Sequence, residues 1–129
     1  MIRIKRVYSE PTPRDGMRIL VDRVWPRGIS KERAHITEWR KDLAPSTALR
    51  KWFGHEPARW AEFRKRYRAE LVRSGMSDEL QKLARLSRKK SITLVYGAAD
   101  EKHNQAVVLL ELINKLTVPP SKASRRRRA

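Results

Sequence analysis

Cysteine is absent from the 129 residues, which excludes disulfides, thiolate nucleophiles, iron–sulfur clusters and Cys-bearing zinc sites. A disulfide-free chain suits the cytosol and is read as cytoplasmic. Histidine is scarce. His35, His55 and His103 stand apart without an HxxxH or HxxE-type pair, so no metal site and no cofactor are expected. No stretch approaches the roughly 18 apolar residues of a membrane-spanning helix. The opening MIRIKRVYSE has no apolar core of a secretion signal. No membrane partner is expected, and the sequence carries no signature of a particular oligomeric state.

Acidic residues are also few, 14 against 31 Lys and Arg, giving a net charge of +17. The last eleven residues hold Lys122 and Arg125–Arg128 and no acid, so they contribute +5 and residues 1–118 carry +12. Such a balance attracts anions through long-range electrostatics. Hydrophobic residues make up 40% of the chain, enough for one core in a chain of single-domain length. The expected organisation is one α/β domain over residues 1–118 and a disordered basic tail over 119–129, whose few apolar groups do not offset ordering entropy.

Ile2–Val7 alternates apolar and basic residues, the pattern of a half-exposed strand. Met17–Asp22 contains the apolar run Ile19-Leu20-Val21 and reads as a buried strand, and Ser91–Tyr96 reads the same way. Ile36–Lys41 reads as a weaker third strand. Residues 29–34 suggest a helical turn. Ser46 suits an N-cap before Leu49, Trp52 and Phe53, with Gly54 at the helix end. Pro57 suits the first turn of a helix that presents Trp60, Phe63, Tyr67 and Leu71 on one face. Ser77 is expected to cap the next helix. Asp100 is expected to cap the last one, with Ala106, Leu109, Leu110, Ile113 and Leu116 inward and Pro119-Pro120 as its stop. The order predicts an α/β fold: a small, mostly parallel sheet of three or four strands flanked by about four helices.

In such sheets ligands bind beyond the carboxyl ends of the strands. The densest segment there runs from Asp22 to Gly28, with Arg23, Trp25 and Arg27 between. Arginine captures phosphate or carboxylate bidentately, and tryptophan stacks rings. Gly28 permits an unusual backbone. Ser46, Tyr96 and Asn104 complete the candidate ligand site, with the helix start after Asp100, near His103, adding N–H groups and dipole. Alternatively, Arg23 pairs with Asp22, Asp42 or Asp100 and only pins loops, Trp25 plugs the core, and Tyr96 packs. A small anionic ligand is one reading. Were the protein an enzyme, Asp22 or Asp100 is the candidate base and His103 the proton carrier. A second reading is sequence-nonspecific nucleic-acid binding by Arg59, Lys65, Arg66, Arg68 and Arg73 on one helix together with Arg125, Arg126, Arg127 and Arg128 in the tail. A third is a non-catalytic interaction module whose charge serves solubility.

The strings LVDRVWPRG (20–28), DLAPSxxLRKWFGHEPxxWxxFxxRYxxEL (42–71) and LVYGAADEKHNQAVVL (94–109) resemble the YeaO-like family of bacterial proteins over about Ile2–Leu116. The resemblance implies a small α/β domain in a bacterial cytosol and brings no activity with it. A wider related group has an Asp-x-Arg segment after the strand equivalent to 18–22. It has a Cys ending the strand equivalent to 92–96 and a Cys-His-Arg opening the next helix. Here Tyr96 and roughly Asn104-Gln105-Ala106 stand at those places, so any thiol chemistry of that group is absent.

Overall fold

The computed structural model describes residues 1–116. The basic tail, with Arg125–Arg128 and the Pro119-Pro120 stop, lies outside the described residues. Four strands, β1 (Ile2–Arg6), β2 (Met17–Leu20), β3 (Glu38–Trp39) and β4 (Ile92–Tyr96), form one sheet in the order β1-β4-β2-β3, with every pairing parallel. The expected α/β class and strand count are therefore observed. β4 is central and is buried along its whole length, as its β-branched run ITLVY suits. Its register sets Ile2 beside Ile92 and Ile19 beside Leu94.

The helices are α1 (Lys31–Ala34), α2 (Thr47–Phe53), α3 (Trp60–Arg73), α4 (Ser77–Ser87) and α5 (Gln105–Leu116). The sheet's two faces are covered differently. Ile19, Val21, Ile92, Leu94 and Tyr96 point to the layer built by α2 to α5, where Phe53, Phe63, Tyr67, Leu83 and Leu109 close the larger core. Leu20, Val95 and Val7 point the other way, against Ala34, Trp25, Ile29, Ile36 and Trp39. The crossovers explain the asymmetry. β3 reaches β4 through three helices, whereas β1 reaches β2 through a loop with a single 3-10 turn (Pro13–Asp15), and β2 reaches β3 through α1 alone.

Several helix ends differ from expectation. Pro57 opens a 3-10 turn (Pro57–Arg59) that runs into α3, because the fixed φ of proline suits either tight helix. Ser77 is the first helical residue of α4 and makes no cap bond. Leu110 is only half-buried and Leu116 is 39% exposed, while Val108 faces in. Ser46 and Gly54 do cap α2: the Ser46 hydroxyl accepts from the Leu49 amide, and Gly54 takes the left-handed conformation.

Under the loop-covered face lies a buried ion pair. Asp15 is 1% exposed and accepts from Arg18 Nη1 at 2.6 Å, from Lys5 Nζ at 3.2 Å, and from the Thr12 amide and hydroxyl. Arg18 Nε donates to the Ala34 carbonyl at 3.0 Å, so the pair joins β1, β2 and α1. Gly16 makes the turn into β2 possible. Its φ is +62°, and a Cβ there would sit 2.2 Å from the Ser91 carbonyl oxygen. Burial opposes the Asp15 charge, but the Thr12 amide, Lys5, Arg18 and the Thr12 hydroxyl outweigh it and hold its pKa at about 2 against an ordinary 3.8. A depressed carboxylate stabilises the fold fully above its unfolded pKa and loses that contribution as pH falls through about 4 to 2. Asp15→Asn is expected to cost about 3 kcal/mol at pH 7, because it strands the Arg18 charge, and to flatten the acid limb. Urea unfolding at pH 7 and pH 3 checks both; equal costs at the two pH values would be the contrary result.

Candidate functional site

Because all four strands are parallel, their carboxyl ends share one edge of the sheet. The chain leaving β1 brings Tyr8 there, the chain leaving β2 brings Asp22 to Arg27, and the chain leaving β4 brings Gly97 to Gln105. Arg50 and Phe53 of α2, His55 beyond it and Phe63 of α3 supply the facing wall. The crevice between them has a volume of about 490 Å³.

Asp22 joins two of these segments. One carboxylate oxygen accepts from the Gly97 amide at 2.9 Å and the other from the Gln105 side-chain amide, while its carbonyl accepts from Trp39 Nε1 at 2.7 Å. The contact requires glycine at 97, since a Cβ would lie 2.8 Å from the carboxylate and 3.2 Å from Pro26. Burial pushes the Asp22 pKa up to about 6, against the opposing pull of the Gly97 amide, Gln105 and the positive charge of Arg50.

Arg23 does not pair with a carboxylate. Its Nε donates to the Pro45 carbonyl at 2.9 Å and its Nη2 to the Ala44 carbonyl at 3.3 Å. Its three expected partners are engaged elsewhere: Asp22 as above, Asp42 with Arg40 at 2.7 Å, and Asp100 with His103. Arg40 also pairs with Glu38 and Glu79, a cluster that pins β3 to α4. Arg27 and Arg50 are exposed, and neither guanidinium makes a hydrogen bond or ion pair among the described residues; only the Arg27 carbonyl is engaged, by the Tyr8 hydroxyl at 2.6 Å. The crevice lining therefore holds three guanidiniums and a single carboxylate.

His103 Nδ1 lies 2.8 Å from Asp100 Oδ2, and its ring meets Trp60 edge-on with centroids 5.2 Å apart. The expected cap moves by four residues. Asp100 turns the loop by accepting from the Lys102 and His103 amides, and Asn104 caps α5 by accepting from the Val107 amide at 3.1 Å. His103 thus precedes the helix instead of lying in its first turn. Its bonded partner holds the Asp100 pKa below its ordinary value.

The structure brings Asp22, Arg23, Trp25, Arg27, His103 and Asn104 to one crevice. Trp25 lines it while also packing on the smaller core, its indole N–H bonded to the Ile29 carbonyl at 2.8 Å. Three candidates fall elsewhere. Ser46 opens onto a separate groove between α2 and α3, where Glu70 takes its amide at 2.9 Å and its hydroxyl. That carboxylate occupies the place an anion was expected to fill. Tyr96 is 2% exposed within the core, and burial raises its pKa. Gly28, at φ +75°, has open space around it and does not line the crevice. Asp100 reaches the site only through His103. Arg50 and Gln105 were not foreseen. Ser46 was the nearest residue singled out in the sequence, and Arg50 lies one helical turn beyond it.

The basic residues of α3 and of the turn before it are disposed differently, with Arg64 paired to Glu111 of α5 at 2.7 Å. Arg59 and Arg66 lie over the Trp52 ring, at 5.3 and 4.3 Å, and Arg66 also pairs with Glu62 at 2.9 Å. Lys65 and Arg68 fall on the opposite side of the helix, beside the exposed Val72. Among the described residues no group of three His, Asp or Glu side chains converges to hold a metal, and no helix is long and apolar enough to cross a membrane.

A family model described as the inactive DUF488-N3 subclade matches residues 1–125. The uncharacterised protein YeaO of Escherichia coli K12 is 44% identical over 115 residues, 89% of this chain and 98% of that protein. The uncharacterised protein Rv3073c of Mycobacterium tuberculosis H37Rv is 42% identical over 113 residues, 88% of this chain and 93% of that protein. No solved structure matches the chain.

The raised Asp22 pKa gives this group the opposite sign from Asp15. Between pH 4 and 6 the folded state keeps a proton that the unfolded chain has released, so stability declines as pH rises through that window. Asp22→Asn is expected to remove this component, up to about 1 kcal/mol per pH unit. Urea midpoints of both proteins at pH 4.5, 5.5 and 6.5 check it; parallel curves would place the titration elsewhere.

Proposed function

We propose that this chain, which belongs to the inactive DUF488-N3 subclade, acts by binding a small phosphate- or carboxylate-bearing ligand in the crevice at the carboxyl ends of its strands. The observation that carries the reading is Arg23. A part-buried guanidinium held by two neutral carbonyls, with no carboxylate partner, keeps its charge uncompensated and its fork fixed in place. An anion is the natural complement of such a group. Arg27 and Arg50 add two solvent-facing cations at the same opening, against one acid, Asp22, whose pKa burial raises to about 6. Binding fits better than turnover. Asp22 is engaged by two N–H donors and Asp100 by His103, so both carboxylates already serve to shape the site.

The nucleic-acid reading has weaker support. Arg59 and Arg66 are committed to Trp52, and Arg66 to Glu62 as well. Among the described residues that leaves Lys65, Arg68 and Arg73 on α3 as its free cations.

Inorganic phosphate and pyrophosphate are the first probes, read by thermal shift and calorimetry. A saturable rise in melting temperature is expected. Arg50→Ala and Arg23→Met are each expected to weaken binding about tenfold, the loss of one charge-assisted hydrogen bond of some 1.5 kcal/mol or more; Arg85→Ala, on α4, should change nothing. Equal binding by all four proteins would remove the crevice from consideration. Binding that instead tracks Lys65 and Arg68 and collapses with salt would favour the polyanion surface.

A further inference from the structure

The crevice is far larger than inorganic phosphate needs, and its walls are of two kinds. Its volume of about 490 Å³ falls in the range of sites for small organic molecules. The guanidiniums of Arg23 and Arg27 come from the chain leaving β2, and that of Arg50 from the facing wall. Between and below them Val24, Trp25, Pro26, Pro45 and Ala98 offer apolar surface. An ion alone would leave that surface wet.

Two rings at the opening are held by their polar ends. The Tyr8 hydroxyl is tied to the Arg27 carbonyl and the Trp25 indole N–H to the Ile29 carbonyl. Tyr8 is 44% exposed, with the Arg6 guanidinium 5.0 Å from its ring centroid. Rings fixed in this way present a face to a planar ligand at little entropic cost. The lining also holds acceptors. Asp22 contributes a carboxylate, and the Gln105 side-chain oxygen has no partner among the described residues while its nitrogen is engaged with Asp22. A ligand that fills this space must bring an N–H donor to the acceptors, a planar body to the rings and an anionic group to the arginines.

We propose that the ligand is a nucleoside monophosphate with an amino-bearing base, its phosphate at Arg23, Arg27 and Arg50 and its base amino group at Asp22 and Gln105. The proposal rests on the anion-binding reading above and adds to it the chemical class of the ligand, with Asp22 as the residue that selects for the donor.

Calorimetry on the full chain with adenosine monophosphate, inosine monophosphate, ribose 5-phosphate and inorganic phosphate tests it. Adenosine monophosphate is expected to bind at least about tenfold tighter than ribose 5-phosphate. It should also bind tighter than inosine monophosphate, whose base has a carbonyl in place of the amino group. Asp22→Asn is expected to weaken adenosine monophosphate about tenfold more than it weakens inorganic phosphate, with far-UV circular dichroism showing that the variant is folded; equal losses for the two ligands would remove Asp22 from base recognition. If ribose 5-phosphate binds as well as adenosine monophosphate, the nucleotide assignment is overturned and the anion site stands; if inosine monophosphate does, the placing of a base amino group at Asp22 and Gln105 is overturned. If no phosphate compound binds, both are overturned. Should Asp22→Asn fail to fold, the ranking of the four ligands on the wild-type chain decides alone.

Discussion

One carboxylate organises the functional edge of this sheet. Asp22 leaves β2 and is met by the amide of Gly97, which leaves β4, and by the side chain of Gln105, which opens α5. The floor of the crevice exists because these three segments converge on two oxygens. Burying a charged group is costly unless it is hydrogen-bonded, and Asp22 sits at the margin of that balance. Its donors favour the charged form, and its burial favours the neutral one more strongly. The remaining charge in the crevice is arranged around this fact. With Asp22 directed to backbone and amide, Arg23 turns to the Pro45 and Ala44 carbonyls, and neither Arg27 nor Arg50 makes an ion pair among the described residues.

The strands were legible because their apolar runs were short, bounded and rich in β-branched residues. Ile19-Leu20-Val21 and Ile92–Tyr96 could hardly be anything but interior strands, and a parallel sheet follows once helices separate them. The residues after β2 were also legible as a site, since Pro26 and Gly28 end a strand where parallel sheets bind ligands. What stayed hidden was partnership. Ser46 reads as a free helix start, yet Glu70, twenty-four residues on, reaches it. Asp100 and Asn104 are both good capping residues, and only the path of the loop decides that Asn104 serves α5 while Asp100 turns the chain before it. Long-range pairing of this kind leaves no periodic trace in a sequence. The same holds for Arg18: a basic residue in an apolar strand carries no hint that Asp15 and Ala34 will receive it in the interior.

The relation to the wider group takes a concrete form here. Tyr96, which stands where that group has a Cys, is turned into the helical core with Ile92 and Leu94. Asn104, close to the group's second Cys, serves as a helix cap. Both positions have structural duties in this chain. An Asp and an Arg still follow β2 and line the crevice, adjacent here where that group has one residue between them.

The unequal covering of the two sheet faces has a consequence for how the molecule comes apart. The α2–α5 side is held by apolar area, a force that fades on cooling. The opposite side is thin, a loop, one helical turn and the Asp15–Arg18 pair with its neighbours. Regions with few apolar contacts are the first to open in partial unfolding. Amide exchange should therefore enter through residues 8–16 and 29–37 while β4, shielded on both sides, keeps its protons to the end. The crevice draws its walls from both layers, so a ligand bound there would slow the breathing of the thinner one.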